Sequence, residues 1–239
     1  MGKKEESMKT TLITGSNRGI GLEFARQYAA DGWRVLACAR SPEKADALNT
    51  LATKYPDRVS VHALDVADHD RIDELARLLT GEPIDLLINN AGIYTDDHAS
   101  TFNDINYEAW VHAFLVNTMA PLKMAQAFAS HIARGKQKTI VTISSKMGSI
   151  ADNNGGGSYM YRSSKAAVNM VMKTLAIDLK PSGVITVIFH PGWVKTDMGG
   201  PEAQISTTQS VSGMRRVISG LTMADSGKFF AYDGQAVPW

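Results

Sequence analysis

Thr10-Thr11-Leu12-Ile13-Thr14-Gly15-Ser16-Asn17-Arg18-Gly19-Ile20-Gly21 decides the fold. Thr10–Thr14 is short, β-branched and bounded by glycine, so it reads as a buried strand. Ile20 to Ala30 follows with good helix formers. Between them, glycines let the chain turn tightly and approach a phosphate, and the helix start offers unpaired N–H groups at the positive end of its dipole. Taken alone, the motif is a weak signal, and a plain strand-to-helix turn is its lesser reading.

Working outward, the same alternation recurs. Strands are expected at Trp33–Ala39, Val59–Val66, Ile84–Asn89, Lys138–Ser144, Val184–Phe189 and near Phe229–Tyr232. Helices are expected from Pro42, over Asp70–Leu79, from about Asn106 to Ala133, and over Ser158–Leu179, where Pro181 and Gly183 stop the last one. Continuous apolar strands alternating with helices give a parallel sheet covered on both faces. The reading is a Rossmann-type, doubly wound α/β fold of about seven strands. No linker or repeat divides the chain, so residues 1–239 are expected to form one domain, with 1–8 as a flexible extension. Asn153-Asn154-Gly155-Gly156-Gly157 reads as a loop.

Composition narrows the function. The 239 residues are 44% hydrophobic and 21% charged, with 25 Lys+Arg against 24 Asp+Glu. A formal net charge of +1 supplies no field for gripping nucleic acid or an anionic membrane. The single cysteine, Cys38, excludes an internal disulfide and a Cys-rich zinc site; on a buried strand it is expected to be a packed, unreactive thiol. Histidines at 62, 69, 98, 112, 131 and 190 include no helical i, i+4 pair, so no metal site is expected. Neither a signal peptide nor an apolar run of about 20 residues is evident, and a soluble, cytoplasmic protein is expected.

Three further features carry chemistry. In Tyr161-Arg162-Ser163-Ser164-Lys165 the tyrosine and lysine are four apart, about 40° in azimuth, so they share a helix face. A nearby ammonium favours phenolate and lowers a tyrosine pKa, which a neutral-pH acid–base catalyst near 10 needs. Tyr159 lies about 240° round from Lys165, which selects Tyr161. The fifth strand ends in Ser144-Ser145, and either hydroxyl could donate to a substrate oxygen or cap the next turn. Asn117 lies four residues before Pro121, which has no N–H, so the Asn117 carbonyl loses its usual donor and is open to a water or a kink.

Thr14-Gly15-x-x-x-Gly19-x-Gly21, Asn89-Asn90-Ala91-Gly92, Asn117, Ser145, Tyr161-x-x-x-Lys165 and Pro191-Gly192, in this order, resemble the short-chain dehydrogenase/reductase family over roughly residues 9 to 239. His190-Pro191-Gly192-Trp193-Val194-Lys195-Thr196-Asp197, with the terminal Tyr232-Asp233-Gly234, is similar to its branch of sniffer-type carbonyl reductases and C-factor signalling proteins. The resemblance implies that Tyr161 is the acid–base residue and that Lys165 lowers its pKa and holds a nicotinamide ribose. It implies that Ser145 positions the carbonyl and that Asn117 holds a relay water. Gly15, Ser16, Asn17, Arg18, Gly19, Ile20 and Gly21 would cradle the dinucleotide. Asp65 and Val66 would meet the adenine, Asn89, Ala91 and Gly92 the adjoining ribose region, and Pro191, Gly192, Trp193, Val194 and Thr196 the nicotinamide side. Dimers or tetramers are common in the family. The chain departs in one respect: Tyr161 follows Ser145 by 16 positions, against about 13 more often, which implies an altered substrate entrance.

The second strand ends Ala37-Cys38-Ala39-Arg40, with no carboxylate for a 2′-hydroxyl. Arg40 and Arg18 suit a 2′-phosphate instead, so NADP(H) is the expected cofactor. The reaction expected is interconversion of a small-molecule carbonyl and alcohol. The alternative is a dinucleotide-binding signalling protein of the C-factor type. Trp193 could wall the substrate pocket. Residues 199–221, rich in Gly, Ser and Thr, are expected to be a mobile cover over it.

Overall fold

A computed structural model describes residues 8–96 and 102–239. Seven strands form one sheet: β1 (Thr10–Ile13), β2 (Arg34–Ala39), β3 (Val59–Ala63), β4 (Leu86–Asn89), β5 (Thr139–Ile143), β6 (Ile185–His190) and β7 (Phe229–Ala231). Their spatial order is β3-β2-β1-β4-β5-β6-β7, and every pairing is parallel. After β3 the chain crosses to the other side of β1 and builds outward again. That reversal leaves a crevice beyond the carboxyl ends of β1 and β4, where open parallel sheets bind ligands.

The strand residues divide by alternation. Ile13, Leu86 and Ile88 face one layer with Phe24 and Tyr28. Leu12 and Leu87 face the opposite layer with Ile72, Val116, Met124 and Phe128. The first layer is α1 (Gly19–Ala30), α2 (Asp46–Lys54) and α8 (Thr207–Ser219); the second includes α3 (His69–Leu78), α4 (Tyr107–Phe114), α5 (Ala120–Ala127), α6 (Ala129–Arg134) and α7 (Tyr159–Asp178). A period of two buries both faces of the strands, as a helix-covered sheet requires. Cys38 is buried in this packing, and burial pushes its thiol up to about 12.

Three expectations change. The helix expected over Asn106–Ala133 is interrupted: Leu115–Met119 is a π-helical turn, and the helix breaks again at Phe128. The Ala120 N–H donates to the Leu115 carbonyl, five residues back. The fourth strand starts at Leu86 because Asp85 is a buried junction. Its carboxylate accepts from Thr10 N–H (2.9 Å), Lys136 N–H (2.7 Å) and Gln137 N–H (3.1 Å), tying together the amino ends of β1 and β5. Finally, residues 199–221 are not one mobile cover. Val211, Met214 and Ile218 form the buried stripe of α8, packed beside α1 in the first layer. The Ser, Thr and Gly content obscured that helical period. The extension expected over 1–8 lies, apart from Met8, outside the described residues, as does His98.

Candidate active site

The carboxyl ends of β1 and β4 meet through Thr14 and Asn90. Thr14 Oγ1 accepts from the N–H groups of Asn90 and Ala91, both at 3.0 Å. Asn90 Nδ2 donates to the carbonyls of Thr14 (2.9 Å) and Gly15 (3.1 Å). Asn90, rather than Asn89, therefore holds the glycine turn. The doubled Asn89-Asn90 was the signal available in the sequence, but only the register of β1 against β4 tells the two amides apart.

Gly15 and Gly19 have φ of +66° and +56°, a region that favours glycine. Arg18 is the N-cap of α1 without a side-chain cap, and the Leu22 N–H finds the Arg18 carbonyl at 3.2 Å. The N–H groups of the first turn ahead of Leu22 have no intrahelical acceptor, the arrangement that suits a phosphate. A dinucleotide fits in a second respect: Asn89 is buried, its Nδ2 reaches Pro121 O (3.3 Å) and Thr142 Oγ1 (3.4 Å), and its Oδ1 has no protein partner.

The segment after β6 leans over this turn. A Cβ on Gly19 would lie 3.3 Å from Thr196 Cγ2, and the Arg18 guanidinium is paired with Asp197. Val194 is buried, Gly192 has φ +86°, and half-exposed Trp193 donates through Nε1 to Gly199 O at 2.8 Å. Arg40 is exposed just past β2. Asp65 accepts from Ala67 N–H at 3.0 Å, beside an open hollow of about 560 Å³ formed with Ala67, Asp68, His69 and Asp70. That hollow shares no lining residue with the Tyr161 region.

The two serines separate. Ser144 Oγ is buried and faces the Lys165 carbonyl at 3.5 Å. Ser145 caps a short turn, its Oγ accepting from Met147 N–H at 3.1 Å, which leaves its hydroxyl proton to donate elsewhere. It neighbours Tyr161, whose pKa it pulls downward. On α7, Tyr161 and Lys165 are both buried, and the Lys165 ammonium lies 5.7 Å from the Tyr161 ring centroid.

Burial pushes Tyr161 up to about 12, offset in part by Ser145, and raised further by Tyr94. The nearby Lys165 ammonium is a positive charge, which favours the phenolate. The ammonium donates to the Ile143 carbonyl at 3.0 Å, and its own pKa is pushed down to about 8 by burial. Tyr161 is thus a phenol at neutral pH, the form that can give a proton to a carbonyl oxygen.

Asn117 sits in the π-helical turn. Its Oδ1 accepts from Ile93 N–H (2.9 Å), and its Nδ2 donates to Ile93 O (2.9 Å) and Ser164 Oγ (3.0 Å). Ser164 Oγ in turn donates to the Tyr161 carbonyl at 2.8 Å. Gly92 lets this close approach happen, since a Cβ there would lie 3.2 Å from Asn117 Oδ1 and 3.4 Å from Lys165 Nζ. Two residues the motifs do not include also touch α7: Tyr94, whose ring lies tilted against that of Tyr161, and Asp96, which accepts from the Tyr161 N–H.

His190 is held neutral. Burial pushes it down to about 4, and its Nδ1 accepts from Lys146 N–H at 3.2 Å. Among the described residues no group of three metal-ligating side chains occurs, and no helix is long and apolar enough to cross a membrane.

A parallel sheet with an uncapped glycine turn at its switch point, and a tyrosine, serine and lysine one strand further along, is the frame of a nucleotide-dependent oxidoreductase. The chain belongs to the short chain dehydrogenase family, whose profile matches residues 9–206. The C-signal protein of Myxococcus xanthus is 44% identical over 157 residues, 66% of this chain and 93% of that one. Among solved structures, the NADPH-bound carbonyl reductase from chicken fatty liver superposes with a TM-score of 0.90 at 35% identity, covering 97% of this chain and 99% of its own. The carbonyl reductase Sniffer of D. melanogaster gives 0.89 at 30%, covering 97% and 100%.

Proposed function

We propose that this chain is an NADP(H)-dependent oxidoreductase that reduces a small-molecule carbonyl to an alcohol. The observation that carries the reading is the buried Tyr161 phenol beside the free hydroxyl proton of Ser145. Gly15 to Gly21, Asn89, Ala91, Gly92 and the 191–196 segment would hold the cofactor, with Asp65 and Val66 toward the adenine. NADPH bound there supplies the hydride to the carbonyl carbon. Tyr161 gives its phenolic proton to the carbonyl oxygen, and Ser145 donates a hydrogen bond to the same oxygen as charge develops. Lys165 carries the positive charge that offsets a transient Tyr161 phenolate. NADPH oxidation against aldehydes, ketones and quinones tests the reading; no turnover above the carbonyl-free rate overturns it.

A signalling protein that binds the dinucleotide without turnover is the second reading, favoured by the likeness to C-signal. The same assay separates the two, because a sensor binds NADPH and leaves it unoxidised across the panel.

Cofactor choice rests on Arg40. We expect NADPH to bind more tightly than NADH, and Arg40→Ala to erase roughly tenfold of that preference, about 1.5 kcal/mol for a charge-assisted contact at an exposed position. Titration of both cofactors into both proteins checks this; equal wild-type affinities would sink the NADP assignment.

The Asn117 carbonyl is proposed to hold the relay water that returns protons toward Lys165. With Pro121 lacking an N–H, that carbonyl has no i+4 donor. Pro121→Ala restores one. Turnover is expected to fall several-fold while the melting temperature holds or rises, since alanine is the better helix former. Unchanged turnover with a raised melting temperature would reduce Pro121 to a local helix irregularity.

A further inference from the structure

We propose that Asp96 is a positioning residue for Tyr161, its carboxylate capping the first turn of α7 and so fixing the tyrosine in register with Ser145. The proposal rests on the reading of Tyr161 as proton donor.

Asp96 is buried at 6% exposure. Its Oδ1 accepts from Met160 N–H at 3.2 Å, and its Oδ2 from Tyr161 N–H at 2.7 Å. A helix leaves its first N–H groups without intrahelical acceptors, and a carboxylate there is favoured by the dipole. The residue in place to supply a local cap is Ser158, at the N-cap position. It makes no side-chain cap bond, and it sits at φ +48°, ψ +48°, a left-handed conformation costly for a non-glycine residue. Its hydroxyl is instead bonded to the Tyr94 hydroxyl at 2.8 Å. The cap of the catalytic helix therefore comes from a segment more than sixty residues away.

That segment is a strap anchored at both ends. Asn117 grips both backbone polar groups of Ile93. Tyr94 lays its ring on Tyr161, with centroids 4.9 Å apart at 53°, a favourable tilted aromatic contact. Asp96 then holds the N–H groups of Met160 and of Tyr161 itself. The strap thus fixes the tyrosine through its ring and its backbone together. Such control matters because proton transfer requires hydrogen-bond distance, and a misplacement of about 1 Å can cost roughly 10²-fold.

The test uses the full chain with Asp96→Ala and Asp96→Asn, read by amide hydrogen exchange, NADPH titration, and separate kcat and KM. In Asp96→Ala the amides of Met160 and Tyr161 are expected to exchange about tenfold faster or more while α1 is unaltered. The same variant should lose roughly tenfold in kcat, with KM and NADPH affinity within about twofold. Asp96→Asn, keeping one acceptor oxygen, should recover part of the protection and of kcat. Unchanged exchange at Met160 and Tyr161 overturns the proposal. So does a kcat loss matched by equal losses of NADPH affinity and global protection, which marks a purely structural residue. If Asp96→Ala does not fold, Asp96→Asn decides by the same split. Should the wild type turn over no carbonyl, the oxidoreductase reading fails while the exchange arm still reports whether Asp96 holds Tyr161.

Discussion

Tyr161→Phe is expected to lower carbonyl reduction by roughly 10²-fold or more, the usual scale for loss of a general acid, while the fold and NADPH affinity stay intact. The substitution removes one hydroxyl and keeps the ring, so the tilted contact with Tyr94 at 4.9 Å survives. Tyr159→Phe is the control, because Tyr159 is partly exposed at 42% while Tyr161 is buried. If Tyr159→Phe were the inactive variant, the face assignment on α7 would be wrong. The pH profile carries the sign of the electrostatics. With Tyr161 pushed up to about 12, the phenol persists through neutral and mildly alkaline pH. Lys165, pushed down to about 8, is charged below that value and loses its proton as pH rises through it. Reduction is therefore expected to be level near neutrality and to decline above about pH 8. A reduction rate that rises through that range would contradict the role given to the ammonium.

Gly21→Ala should be the most damaging single methyl on the cofactor side. Alanine in a helix is ordinarily favoured over glycine by about 1 kcal/mol. Here the added Cβ would sit 2.2 Å from the Gly15 carbonyl oxygen and 2.5 Å from Asn90 Nδ2. The first contact is backbone, so relief requires moving the glycine turn itself or the start of α1. Overpacking of this kind costs about 1–3 kcal/mol or more, which outweighs the propensity gain. NADPH affinity is expected to drop at least tenfold, because the displaced turn is the one that aims the α1 N–H groups. Gly220→Ala is the contrast: φ there is −103°, and the nearest heavy atom, the Val217 carbonyl oxygen, is 3.8 Å away. Thermal melts and NADPH titration of both variants check the pair; equal behaviour would mean that the close approach at Gly21 relaxes freely.

Seven strands and the order of the main motifs were legible in the residues, because buried parallel strands are continuous apolar runs and glycine turns are local chemistry. Tyr161 was separable from Tyr159 by helical geometry alone. Other features depended on partners distant in the chain. Ser144 and Ser145 are adjacent and chemically identical; packing against α7 turns one inward and leaves the other beside Tyr161. Pro121 marked a helix irregularity near Asn117, but its π-helical form accompanies the locking of α4 and α5 onto α7 through Asn117, Thr118 and Trp110, contacts that no local propensity encodes. The high pKa of Tyr161 comes from burial, which a spacing of four residues cannot reveal. Asp96 belongs to no local motif; only folding brings its carboxylate to the N–H groups of Met160 and Tyr161. Local sequence determined most of the elements and nominated the candidate reacting groups. Tertiary structure decided how those groups are aimed and charged, since desolvation and hydrogen-bond partnering are set by contacts between segments far apart in the chain.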